Sequence, residues 1–523
     1  MREADLPDWI MKTSATGLLV LMTSILGWPQ EPASPHGDTV SSEVRQLHEE
    51  VRELRAAIAE LRSESAQYRA ETAELRRELQ AHDFSAMKTT APPEPNENVA
   101  PATTPEAAST SSQTLEGRVA SLEESSRLLS GKVDEQHQTK VESASKYHVR
   151  LSGLVLFDLF SNHGAVDNQD FPSYAGAPTA YGSHGSFAAS LRQSELGLEV
   201  FGPRIAGAKT TGNIQVDFAG GLANTLNGAN YGLLRLRAAN LRMDWERTSI
   251  VAGQDSVFLS PLSPTSLSSL AVPAFGYAGN LWGWLPQVRV EHRFDLNENQ
   301  RLTLQGGILD NFTGEPPYSQ YNRGVQAGER SSQPGFGARM AWSRNVFGLP
   351  LTIGTAGYYS RQNWGFDRYD DGWAGMADWE VPLAQAVSLT GEFYRGKAIG
   401  GLAGGIGRSI LFSGDPLSAT TQIRPFNSTG GWAQLKWKIN PKLEINGAAG
   451  LDNSFAADLR AFPVSQSYYD PTLAQNRNGL LNFIYHPRSN LLFSAEYKHL
   501  RTTRVDGNIQ SAEQVNLLMG VLF

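Results

Sequence analysis

From residue 148 to the end of the chain, polar and apolar positions alternate with a period of two, in runs of about 9–13 residues. That is the length a tilted strand needs to cross a bilayer. Lys209, Thr211, Asn213, Gln215 and Asp217 alternate with Thr210, Gly212, Ile214, Val216 and Phe218. Gln287, Arg289, Glu291 and Arg293 alternate with Val288, Val290, His292 and Phe294, and Ser494, Glu496 and Lys498 lie opposite Phe493, Ala495 and Tyr497. One face suits water and the other suits lipid. Sixteen such runs extend from 148–160 to 512–523, and their connections alternate long (161–188, 258–285, 311–335, 396–430, 451–476) and short (202–207, 295–300, 439–441, 486–489). Long outer loops and short periplasmic turns are the pattern of a closed membrane barrel. A soluble sandwich or propeller would alternate too, but would not lengthen every second loop. The predicted fold is an all-β transmembrane barrel of 16 antiparallel strands over 148–523, preceded by an N-terminal α-helical coiled coil.

The front of the chain has a different period. From Val44 the apolar positions step by three and four, with Leu47, Leu54, Leu61, Tyr68 and Leu75 at d and Glu and Arg on the flanks. A seam this narrow predicts a coiled coil over 41–84 rather than a helix lying on a globular core. Residues 85–113, rich in Pro, Ala, Thr and Ser, read as a disordered linker. A second short heptad run, 114–146, carries Leu115, Val119, Leu122, Leu129 and Val133. β-Branched residues at a with Leu at d favour dimers; the barrel behind them, and the stretch Arg118-Val119-Ala120-Ser121-Leu122-Glu123, which resembles short trimeric coiled coils, point to a trimer. Leu47, Leu54, Leu61, Val119, Leu122 and Leu129 are the expected trimerisation positions. Thr16–Gly27 is the one long apolar run, too short to span a membrane as a helix but suited to a signal-peptide core. Residues 1–30 are therefore expected to be a signal peptide, with Met11 as an alternative start.

Charge and composition narrow the function. Residues 1–147 carry 15 Lys and Arg against 24 Asp and Glu, whereas 148–523 carry 30 against 29. No basic block suggests nucleic acid. The chain has no cysteine, which excludes thiolate metal sites, thiol nucleophiles, disulfides and a lipoprotein anchor. No catalytic or cofactor constellation stands out, and none is expected. Ser494 and His499 fall on opposite faces of one run, against an envelope hydrolase. The glycine-rich stretch 400–409 lacks the Lys and spacing of a phosphate loop and reads as a flexible loop.

The candidate functional residues are lumenal charges: Arg192, Arg235, Arg237, Arg289, Glu291, Arg293, Arg339, Lys436 and Lys438. A ladder of Arg would make a path for carboxylates or phosphates; alternatively, each Arg braces the wall by pairing with a lumenal acid. A slip of alternation near Ala238 and Ala239 suggests a bulge. The uncharged, Ser-rich segment 258–285, with Phe275, Tyr277, Trp282 and Trp284, is a long loop after the fifth run and resembles in position the loop that trimeric sixteen-stranded porins fold inward, a resemblance that implies a constriction, although Trp282 and Trp284 would equally suit an interfacial girdle.

The last run, ending on Phe523, resembles the C-terminal signature of bacterial outer-membrane barrels, which their insertion machinery reads. Leu151-Ser152-Gly153-Leu154-Val155-Leu156-Phe157-Asp158 and Leu191-Arg192-Gln193-Ser194-Glu195-Leu196-Gly197, with the order of elements, resemble the DcaP-like porins, relatives of the phosphate-selective porins. The resemblance implies a homotrimer in the outer membrane, its coiled coil in the periplasm, and passive uptake of small anionic solutes. Glu195 stands where that family commonly has a basic residue, which weighs against simple anion selectivity. The competing expectation is a structural tether, a plugged barrel whose coiled coil reaches peptidoglycan.

Overall fold

All sixteen runs form strands. The structure, a computed structural model, describes residues 148–178, 184–222, 232–315, 323–462 and 473–523. The predicted signal peptide, both coiled coils with their trimerisation residues and the linker lie outside them. The strands are β1 (His148–His163), β2 in two pieces (Gly185–Ser190 and Glu195–Ile205), β3 (Ala208–Asp217), β4 (Arg235–Asp244), β5 (Thr248–Ser256), β6 (Trp284–Asn297), β7 (Gln300–Leu309) and β8 (Gly335–Val346). They continue with β9 (Leu349–Asn363), β10 (Tyr369–Ala384), β11 (Val387–Lys397), β12 (Asn427–Asn440), β13 (Leu443–Ser454), β14 (Leu473–Arg488), β15 (Leu491–Arg504) and β16 (Ile509–Leu522).

Each strand pairs antiparallel with its neighbours in sequence, and β16 returns to β1, with Leu154 opposite Leu522 and His163 opposite Glu513. The sheet has no free edge, as a lipid-facing sheet requires. Many strands run two to four residues beyond the predicted ends on the long-loop side, lifting the wall beyond the apolar belt.

Register carries the alternation around the barrel. In β15, Leu492, Ser494, Glu496, Lys498, Leu500 and Thr502 are buried inward, while Phe493, Ala495 and Tyr497 face out. In β16, Gln514, Asn516 and Leu518 point inward and Val515, Leu517, Met519 and Val521 point outward. Exposed aromatics ring both ends of the apolar wall: Phe294, Trp437 and Tyr485 near the short turns, Phe336, Tyr359 and Trp373 near the long loops. No helix among the described residues is long and apolar enough to cross a membrane; the strands do so.

Two irregularities differ from the sequence expectation. Arg192 does not lie on a strand, as a member of a lumenal ladder would, but sits with Gln193 in the break at 191–194 between the two pieces of β2. The bulge in β4 falls at Arg237, between Leu236 opposite Val216 and Ala238 opposite Gln215. The extra residue lets Arg235 and Arg237 both reach inward-facing carboxylates.

The outer loops pack against one another. The segment 400–409 is not a loose connection: Leu402 and Ile406 are buried, the Gly405 amide donates to the Tyr394 hydroxyl (3.1 Å), and the Ile406 amide donates to Asp452 (3.3 Å). Its glycines let two short turns fold down onto β11 and β13. Beyond it, a small hairpin pairs Ile410–Phe412 with Ile423–Pro425.

Candidate functional site

The segment 257–283, between β5 and β6, folds into the barrel. Apolar groups seat it at three places: Phe258, Leu259 and Leu281 against Tyr358, Met376 and Tyr394; Phe275 and Ala278 against Trp432 and Leu480; Leu267 and Leu270 against Leu156, Leu492 and Leu518. Between these contacts, polar side chains of the inner wall hold its backbone and serines. Glu392 of β11 accepts from the Ser260 hydroxyl (2.5 Å) and the Leu262 amide (2.9 Å). Gln434 of β12 accepts from the Thr265 amide (2.6 Å), and Asn482 of β14 donates to the Thr265 carbonyl (2.8 Å). Glu496 of β15 accepts from the hydroxyls of Ser266 and Ser268, each at 2.6 Å, and Lys498 donates to the Ser269 hydroxyl at 2.5 Å. Gln193 accepts from the amides of Leu270 (2.8 Å) and Ala271 (3.1 Å). A loop without charge of its own is thus fixed by a charged wall, because Glu392 finds a serine hydroxyl and an amide hydrogen there and Glu496 two serine hydroxyls.

Facing this loop is the predicted basic ladder, and its members are paired. Arg235 holds Asp217 through two nitrogens (3.1 and 2.6 Å) and donates to the Ala271 carbonyl (2.5 Å). Arg237 pairs with Glu195 and lies 3.9 Å from Asp217. Both guanidinium groups stand over the Trp284 ring, 4.9 and 4.8 Å from its centre, and Trp282 meets that ring edge-on at 5.2 Å. The two tryptophans therefore belong to the constriction and not to the outer girdle. Arg289 bridges Asp255 and Glu291, both at 2.9 Å, and Arg242 reaches Asp244 at 2.8 Å and Glu291 at 3.6 Å. Arg339 grips Asp378 (3.0 and 2.6 Å) and Gln305 (3.1 Å). Arg192 pairs with Asp170 of the first outer loop at 2.9 Å.

Three predicted residues stand apart. Lys436 is 3.9 Å from Glu444. Arg293 shares the inward face of Arg289 and Glu291 and makes no ion pair among the described residues, nor does Lys438 near the short-turn end of β12. Sequence reasoning missed the acids Asp217, Asp255 and Asp378 and the loop anchors Glu392, Gln434, Asn482 and Glu496. Their only local signal is a polar side chain on an inward position.

Above the constriction, 257–283, 164–178 and the loops after β7, β9 and β11 enclose a cavity of about 360 Å³ lined by Asp167, Tyr174, Tyr277, Trp364 and Arg408. Among the described residues no group of His, Asp and Glu is arranged to hold a metal ion.

A closed sixteen-stranded barrel, apolar outside, with a charged inner wall and an infolded loop, is a transmembrane β-barrel of the channel type. Its fold resembles the outer membrane channel DcaP of Acinetobacter baumannii, at a TM-score of 0.54 and 18% identity over 74% of this chain and 100% of that one. The anion-selective porin from Comamonas acidovorans aligns with a TM-score of 0.44, 11% identity, and coverage of 72% and 100%. OprB of Pseudomonas putida aligns at 0.43, 12%, 72% and 94%. No protein-family model and no curated protein matches the sequence.

Proposed function

We propose that this protein is a non-enzymatic outer-membrane porin, a homotrimer that lets small solutes bearing carboxylate or phosphate diffuse down their gradient. The observation that carries this reading is a charged inner wall that solvent reaches from the short-turn end. Arg242 and Asp244 point inward from β4, yet their side chains are 33% and 30% exposed. Water reaching charged groups inside the wall is what a conducting lumen requires. The anionic preference rests on Arg293 and Lys438, which add positive charge to a wall whose other arginines are matched by acids; an arginine fork fits a carboxylate or phosphate bidentately. Trimerisation, with the N-terminal segment as a periplasmic coiled coil, belongs to the same reading and rests on the heptad runs and on the resemblance of the sequence to the DcaP-like porins.

The test is single-channel recording in a planar bilayer, with the reversal potential taken in a salt gradient. The wild type is expected to open in steps grouped by three and to pass anions over cations, and Arg293→Ala to move the reversal potential toward the cation limit. A folded, heat-modifiable protein that leaves the bilayer silent would overturn the channel and leave the tether.

A further inference from the structure

On the outer wall, Arg477 of β14 lies directly opposite Arg501 of β15, and both side chains are exposed. Two cations opposed across adjacent strands destabilise a sheet. Neither forms an ion pair with any described residue; the nearby Glu513 is 3.6 Å from His499, which lies beside it in the register, and is hydrogen-bonded by Tyr497. The height of the pair is informative. Arg501 is ten residues beyond Leu491, the first residue of β15. At about 3.3 Å per residue and ~40° of tilt that is roughly 25 Å, the full depth of the apolar band. The two arginines therefore sit at the boundary between acyl chains and headgroups on the long-loop side.

The register orders the wall around them. One step outward, Thr429, Asn453, Gln475 and Thr503 form a polar row on the same face. One step inward, Ala433, Ala449 and Gly479 form the floor of a groove of about 820 Å³, walled by Trp379, Phe393 and Leu451. A Cβ built on Gly479 would have the Ala448 carbonyl as its nearest neighbour, at 3.8 Å, so the barrel's own packing leaves room there for a side chain. Polar row, paired cations and apolar groove follow in the order of headgroup, phosphate and acyl chain.

We infer that Arg477 and Arg501 hold the phosphate of a phosphorylated lipid of the outward-facing leaflet, with an acyl chain in the groove over Ala433, Ala449 and Gly479. The anion offsets the Arg477–Arg501 repulsion, and guanidinium forks suit a phosphate better than ammonium groups do. The site is independent of what passes through the lumen.

The test uses the full-length protein in phosphatidylcholine nanodiscs with or without bisphosphorylated lipid A, read by native mass spectrometry and by thermal denaturation. The wild type is expected to retain lipid A through exchange into neutral detergent, and to melt higher in its presence. Arg477→Ala with Arg501→Ala should lower retention at least tenfold, and the corresponding double Lys variant should retain an intermediate amount. Gly479→Leu fills the groove without touching the charges and should lower retention severalfold, which covers the case of an arginine variant that does not fold. Equal retention by the wild type and Gly479→Leu, or equal retention of phosphatidylcholine and lipid A, would overturn the site. So would a disulfide between protomers through Gly479→Cys in this cysteine-free chain, because the groove would then face a second copy.

Discussion

Single side chains decide how charge is stored in this molecule. Arg237 owes its place to one extra residue in β4, and Glu195, which departs from the pattern of the family the sequence resembles, is its partner. The departure is thus a pairing across β3 and not a loss of basic character. Outside the membrane, Asp167 shows the opposite economy. The surrounding first outer loop partly desolvates its carboxyl, which still keeps an exposed side, and pushes it up to about 6 against the pull of the Tyr174 and Ser173 amides that donate to it. An unfolded loop would release this proton near 3.8, so between 3.8 and about 6 the folded loop binds more protons and its stability falls as pH rises. Hydrogen exchange at the Ser173 and Tyr174 amides, corrected for intrinsic rates, is expected to show protection falling from pH 4 to pH 7 in the wild type. It should stay level in Asp167→Asn; protection that rises with pH would contradict the assignment.

Among elements, the infolded loop has the tightest geometric demand. Gly279 has a φ of +100°, and a Cβ there would lie 2.3 Å from the Gly431 carbonyl oxygen and 2.5 Å from that of Leu451. A left-handed backbone alone disfavours alanine by about 1–2 kcal/mol, and the overlap is with backbone that cannot turn aside. Gly279→Ala is expected to lift the loop off β12 and β13, raising single-channel conductance and its noise while the barrel stays closed. Unchanged traces would mean the loop does not set the width of the lumen. The sequence placed this segment inward by its position, a long loop after the fifth strand, where trimeric sixteen-stranded porins fold a constriction into the lumen. It could not predict the anchors. Glu392 and Glu496 are separated from the serines they hold by 132 and 230 residues, and nothing within either run distinguishes them from any other inward carboxylate.

For the whole molecule, strand number and loop alternation were legible because each is a local period repeated many times. Charge pairing was not, because Glu195 meets Arg237 across an intervening strand and Arg339 meets Asp378 across β9. Closure, too, depends on a contact between the first and last strands. The Gly153 amide donates to the Phe523 carbonyl (2.9 Å), the Phe523 amide donates back (3.1 Å), and a Cβ on Gly153 would fall 2.6 Å from the Phe523 ring. Gly153→Leu is expected to lower by several degrees the temperature at which the folded band disappears from unheated gels. An unaltered transition would show that the seam tolerates a side chain at this point.

The placement of the loop's anchors also imposes a timetable. The segment 257–283 leaves the chain after the fifth strand, but Glu392, Gln434, Asn482, Glu496 and Lys498 all come from the eleventh strand or later. Among the polar wall groups that hold the loop, only Gln193 and Arg235 precede it in the chain. The narrow point of the lumen is therefore complete only once the final strands are in place, and an unfinished barrel is a wider hole than a finished one.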